Sequence, residues 1–391
     1  MNILLSCQYY YPSIGGAQEA IKQIGEGLVN LGHSVTIATS FDPQRKTKTV
    51  NGVQIKDFAI SGSEVKGCTG DTKAYQDFLI HSDFDIMLNY AAQQWSTDLV
   101  FPIIDKIKAK KVLVPCGYSG LHNNNYKAYF QKLPEILKKY DATVYLSNTY
   151  QDIIFARIHK LKNIHLIPNG ASKTEFLNHK KLFIRKKLKI PSNHFLICHI
   201  GSHTRLKGHN ELLTIFNKAK LKNTTLLVIG NTVLNGCQNS CYFRKTISNI
   251  TPQNIINKKR VVMASLSREE TISVLEESDL FLFPSNVECS PIVLFECLAA
   301  KVPFLATDVG NIKEIIAWSG SGDLLPTKSR QDTYKEAKII PSAKLLEKLH
   351  NNKKLRNKMV KSGYDAWLKK FTWEKIAKQY EKLFLSLGQK I

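Results

Sequence analysis

No uninterrupted apolar run approaches the roughly 18 residues that a membrane-spanning helix needs. The 391-residue chain is therefore not expected to cross a bilayer as a helix. Its start, MNILLSCQYYYP, has no basic stretch ahead of a long apolar segment, so it reads as a buried strand and not as a signal peptide. The eight cysteines lack the regular spacings of a disulfide framework, which points to reduced thiols in a cytosolic protein. Cys237 and Cys241 are the closest pair, and with no second pair or histidine cluster they do not read as a zinc site. There is no GxxxxGK[ST] phosphate loop, no GxSxG nucleophile elbow, no internal repeat and no low-complexity linker. Acidic residues are in short supply: 32 against 55 lysines and arginines, a net charge of +23. The excess gathers in IDKIKAKK, HKKLFIRKKLK and NNKKLRNKMVK. Such a surface attracts polyanions. No zinc-finger spacing, aromatic RNA-binding strand or basic region with heptads is present, so nucleic acid is the weaker partner. The anionic face of a membrane is favoured, and a compositional bias toward Lys, Asn and Ile is the competing explanation.

At this length two domains are expected, and 43% apolar residues suffice for real cores. NILLSC, a loop, AQEAIKQIGEGLVNL at helical spacing and HSVTIATS spell a βαβ opening. VQIKDF, DIMLNY, KVLVPC, TVYLS and NIHLIPN continue the strands. FLICHIG, TTLLVIG, RVVMA, LFLFPS and PFLATDV form a second series, alternating with HNELLTIFNKAK, REETISVLEES, PIVLFECLAA and NIKEIIAW as helices. The alternation predicts an α/β protein with two doubly wound, Rossmann-like parallel sheets, residues 1–168 and 169–370, and a terminal helical segment 371–391. Ligands of such sheets bind at the carboxyl ends of the strands, here in a cleft between the halves.

The segment FPSNVECSPIVLFECLAAKVPFLATDVGNIKEII is the most informative. A strand ends at Pro284-Ser285, a loop carries Glu288, Cys289, Ser290 and Pro291, and a helix-like run follows. Glu296 follows about one and a half turns in. A helix start presents unpaired N–H groups to an anion, and Pro291 suits a first turn. Two carboxylates flanking it could grip hydroxyls of a ligand whose phosphates rest there. In HIGSHTRLKGHNELL, Lys207 offers a compact charge and Arg205 a fork for phosphate oxygens. Gly15 and Gly16 sit at the first strand-to-helix turn, where a phosphate or sugar could reach main-chain N–H groups. Asp83 and Asp85 form a D-x-D pair that could hold a metal, but their place before DIMLNY reads as a strand-edge cap.

Together these motifs resemble the retaining GT-B glycosyltransferases of glycosyltransferase family 4, over nearly the whole chain. The resemblance implies that Glu288 contacts the transferred sugar and Glu296 the ribose of a nucleotide-sugar donor. It assigns Lys207, with Arg205 beside it, to the leaving diphosphate, together with the N–H groups after Cys289, and it places Cys289, Ser290, Pro291 and Ile292 against the substrate. Gly15, Gly16, Cys116, Gly117, Asn169 and Ser202 line the substrates. Ser202 stands where many members have arginine. Cys116-Gly117 stands where they have histidine-glycine, with His122 nearby, so no catalytic histidine is assigned. His33 is read as structural. No metal or other cofactor is implied beyond the nucleotide sugar. A glycan or lipid-linked acceptor, bacterial surface polysaccharide such as lipopolysaccharide, and a cytoplasmic enzyme at the inner membrane face complete the expectation. A same-face attack and a covalent intermediate both stay open. The alternatives are a nucleotide-sugar epimerase or phosphorylase on the same fold, or a non-catalytic basic binding protein.

Overall fold

Strands covered on both faces need near-continuous apolar runs, and NILLS, IMLNY and ATVY supply them. The computed structural model describes residues 1–331 and 333–388. It divides into residues 1–169 with the terminal segment from Trp373, and residues 170–372.

The first unit holds β1 (Asn2–Ser6), β2 (Ser34–Ser40), β3 (Thr49–Val50), β4 (Val53–Phe58), β5 (Ile60–Ser63), β6 (Gly67–Gly70), β7 (Ile86–Tyr90), β8 (Lys110–Val114), β9 (Ala142–Tyr145) and β10 (Ile164–Leu166). Eight of them form one sheet in the order β10-β9-β8-β7-β1-β2-β4-β3, while β5 and β6 make a separate hairpin. All pairs in the sheet are parallel except β3 on β4. The strand order reverses at β1, between β2 and β7. The helix Gly16–Asn30 follows β1 and buries Ala20, Ile21, Ile24 and Leu28. The terminal helix Trp373–Gly388 buries Ile376, Ala377, Tyr380 and Phe384 in the same unit. A Cβ added to Gly27 would lie 2.5 Å from that of Ala377, so the two helices meet where only glycine fits. His33, just past the first helix, brings its Nε2 to 2.9 Å from Glu381 Oε1 midway along the terminal helix.

The second unit holds β11 (Phe195–Ile200), β12 (Thr224–Ile229), β13 (Lys259–Ala264), β14 (Leu280–Phe283), β15 (Phe304–Thr307) and β16 (Asp323–Leu325) in one parallel sheet ordered β13-β12-β11-β14-β15-β16. Here the order reverses at β11, between β12 and β14. A hairpin of β17 (Thr327–Gln331) and β18 (Tyr334–Ala337) follows. Two apolar clusters cover the sheet, one built on Phe281, Phe283, Phe295 and Trp367, the other on Leu212, Phe216, Leu282 and Leu346.

In the amphipathic segment NYKAYFQKLPEILKKY, the helix Lys127–Leu137 turns Tyr129, Phe130, Leu133 and Leu137 into the first unit's core.

Replacing Gly27 with leucine should wedge the two helices apart. Overpacking of this kind costs about 1–3 kcal/mol, or several degrees of melting temperature at roughly 2–4 °C per kcal/mol for a domain of this size. An unchanged thermal transition would show that the helices do not meet at Gly27.

Candidate active site

β11 and β14 are hydrogen-bonded neighbours at the point where the second sheet reverses its strand order. Loops leaving the carboxyl ends of two such strands diverge and leave a crevice, the usual ligand position in a doubly wound sheet. The loop after β11 is Gly201–Gly208, and the loop after β14 is Pro284–Pro291.

The two loops are locked together backbone to backbone. Gly208 has φ +66°, and a Cβ there would fall 1.8 Å from the carbonyl oxygen of Pro284. The N–H of Asn286 donates to Leu206 O at 2.8 Å. Ser285 is fully buried, and its hydroxyl donates to Glu288 Oε1 at 2.7 Å. Lys207 Nζ reaches the same carboxylate oxygen at 2.6 Å and lies 5.8 Å from the Phe283 ring centroid. An ammonium over a ring face gains a further modest attraction. The Glu288 side chain is only 10% exposed, so the pair is largely shielded from water. Lys207 and Glu288, eighty-one positions apart, thus form one charged unit at the crevice.

From the other side the loop rests on residues 307–311. Thr307 Oγ1 donates to Ser285 O, the N–H of Asn311 donates to Cys289 O at 2.9 Å, and Asn311 Nδ2 donates to Ser290 Oγ at 3.0 Å. Gly310 has φ +57°, and a Cβ there would sit 2.4 Å from Cys289 O. The helix Ile292–Ala299 then opens with Pro291 as its N-cap residue, one position before the first turn where the sequence put it. Glu296 is buried in this helix, and its Oε1 lies 2.6 Å from Arg268 Nη1. Arg268 also binds Glu175 at 2.8 Å. It begins the helix Arg268–Glu277, fixed by a Ser267–Glu270 capping box.

Arg268 is absent from the sequence reading, as is Lys335. Lys335 exchanges main-chain and side-chain hydrogen bonds with Asn286 at 3.0 and 3.1 Å and ion-pairs with Asp308 at 2.8 Å. Charge alone could not single them out of the chain's 55 cationic side chains.

The remaining sequence-derived residues fall as follows. Ser202 and Arg205 lie on the Lys207 loop. Arg205 is exposed, has φ +67° and forms no ion pair among the described residues. In the first unit, Gly15 precedes the helix with an extended backbone, φ 176°, and Gly16 has open space where a Cβ would go. Their own conformation does not demand glycine at either place. Cys116 has φ +58°, and the N–H of Gly117 donates to Asp152 at 2.9 Å. Burial pushes the Cys116 thiol up to about 12, so at neutral pH it is no thiolate nucleophile. Asn169 is buried at the end of the first unit. Asp85 accepts the N–H of Asn2 at 2.7 Å and the Asp83 carbonyl accepts Asn2 Nδ2 at 3.0 Å, which fixes the start of β1.

Residues 180–366 match the family model described as glycosyl transferases group 1. The N-acetyl-alpha-D-glucosaminyl L-malate synthase of Bacillus anthracis is 21% identical, with 98% of this chain and 96% of that protein covered. Sucrose-phosphate synthase from Thermosynechococcus elongatus has a similar structure, with a TM-score of 0.77 at 17% identity over 99% of this chain and 98% of that one. Anabaena HepE, solved in complex with UDP-glucose, has a TM-score of 0.71 at 15% identity over 99% of this chain and all of that one. The matched segment, just under half of the chain, is a glycosyl transferases group 1 segment, and the whole chain carries the GT-B fold of two Rossmann-like domains.

Proposed function

We propose that this glycosyltransferase moves a sugar from a nucleotide-sugar donor, with retention of configuration, to a glycan or lipid-linked acceptor in surface polysaccharide assembly. The observation that carries the donor assignment is the Lys207–Glu288 pair, held over the carboxyl ends of β11 and β14 by the Gly208–Pro284 contact. HepE's complex with UDP-glucose supports a nucleotide-sugar donor. Retention is carried over from the family resemblance alone.

In this reading the donor diphosphate lies against Lys207 and the start of the Ile292–Ala299 helix, where N–H groups and the helix dipole favour negative charge. An ammonium has three donors, so Lys207 can keep Glu288 while meeting a phosphate oxygen. The bond from the anomeric carbon to the diphosphate breaks, and its electron pair leaves on the phosphate. An acceptor oxygen bonds to that carbon and gives up its proton to solvent. Lys207 meets the growing charge, with the exposed Arg205 on the same loop as a second cation, so no divalent ion is assigned to the diphosphate. Glu288 orients the sugar. Glu296, steadied by Arg268, takes the ribose hydroxyls. Gly15 and Gly16, whose backbone does not require glycine, leave room for a substrate to approach main-chain N–H groups.

Lys207→Ala should lower kcat by about 10²–10³, the range for groups that stabilise developing charge, and should raise the donor KM much less. Turnover within about a factor of two of the parent, small beside that range, would assign the diphosphate to another cation.

Glu296→Ala should weaken nucleoside diphosphate binding about tenfold or more. Hydrogen bonds to a charged group contribute about 1.5–3 kcal/mol. Calorimetry that returns an unchanged affinity would remove the ribose role.

The lysines in the 180–189 and 353–361 segments are exposed, and we assign them to an anionic membrane surface. Each basic residue near such a surface contributes about 1 kcal/mol, screened over about 8 Å at physiological salt. Flotation with anionic vesicles should show binding at low ionic strength that fades as salt rises. No association at low salt would leave the charge as compositional bias.

A further inference from the structure

We infer that His203, Cys237 and Cys241, with His209 as fourth ligand, form a structural binding site for a soft divalent metal ion of the zinc class. One donor atom from each of His203, Cys237 and Cys241 lies within 4.8 Å of the others. Cys237 Sγ is 3.6 Å from His203 Nδ1 and 3.7 Å from His209 Nδ1. A tetrahedral ion with metal–sulfur bonds of about 2.3 Å and metal–nitrogen bonds of about 2.0–2.1 Å would set such sulfur–nitrogen edges at about 3.5 Å, so those two edges already stand near their final length. The two imidazoles lie stacked with centroids 4.4 Å apart.

His203, His209 and Cys241 are buried, and Cys237 is half-buried. Two thiolates and two imidazoles in a tetrahedral set select zinc over hard cations. Five residues separate the histidines and three the cysteines, both within the spacings of structural zinc sites. The pairs are far apart in sequence and meet because β11 and β12 are neighbours in register. The loops that follow them are already tied, Cys237 N–H to His203 O at 2.9 Å. Cys237 caps the helix Gln238–Ile250, and Cys241 stands one turn further on.

On binding, the two thiols release their protons to solvent and four bonds to the ion form. The ion would clip the loop that carries Lys207 to the one after β12. The set fills a tetrahedron with protein ligands, so its role is to hold that loop and not to activate substrate. The site stands whether or not Lys207 acts on a diphosphate.

The test uses the full chain without a histidine tag, purified under reducing conditions, with metal content measured by plasma mass spectrometry. About one zinc per chain is expected, as for a closed four-ligand site. C237S/C241S should bring it close to zero while circular dichroism stays native. Cobalt loaded into the parent should give thiolate charge-transfer absorption and the intense visible bands of tetrahedral coordination, both lost in the double variant. Zinc should also slow alkylation of Cys237 and Cys241. Native parent protein that takes up neither zinc nor cobalt would overturn the inference. So would a folded double variant that keeps its zinc.

Discussion

The contact between Gly208 and the Pro284 carbonyl is the constraint on which the candidate site depends. It brings the loop after β11 against the loop after β14 with no room for a side chain, and a left-handed backbone at Gly208 is needed to turn between them. Lys207 is fixed because its neighbour is fixed. Glu288 is fixed because Ser285, buried beneath it, donates to its carboxylate. The cation and the anion then neutralise each other in a partly dry crevice, where either alone would carry a desolvation cost. A charged pair of this kind is poised to bind an anion: the lysine holds its position without ligand and still has donors to offer.

A second layer supports the first. Gly310 and Asn311 hold the carbonyl of Cys289, Lys335 exchanges hydrogen bonds with Asn286, and Arg268 anchors Glu296. Substituting any of these would move the loop without touching a ligand. The group 1 glycosyl transferase segment, residues 180–366, contains all of them. The chemistry of the donor end can therefore be argued from the second unit alone.

The sequence displays a site where the site is local. β14, its loop and the helix carrying Glu296 follow one another in some twenty residues, so strand, turn and helix start are readable in order, and Lys207-Gly208 adds one short motif. Both strand series were legible as well, since parallel strands are continuously apolar. What is missing is non-local or weakly patterned. Arg268 reaches Glu296 only because the chain folds its helix beside that loop, and nothing in REETISVLEES marks the first residue. The hairpins β5–β6 and β17–β18 carry few apolar residues and no clear alternation. The two cysteines looked isolated because their histidines follow the adjacent strand, one on its loop and one opening the next helix, 34 and 28 positions before Cys237. In NYKAYFQKLPEILKKY the amphipathic period says that one face is buried, not what buries it.

The central claim is that a nucleoside diphosphate binds on the interlocked loops of the second unit. Hydrogen–deuterium exchange with and without the nucleoside diphosphate that binds most tightly tests it most directly. The account predicts slowed exchange concentrated in peptides spanning 201–208 and 286–296. Saturating nucleotide that leaves both segments unprotected while slowing exchange elsewhere would contradict it.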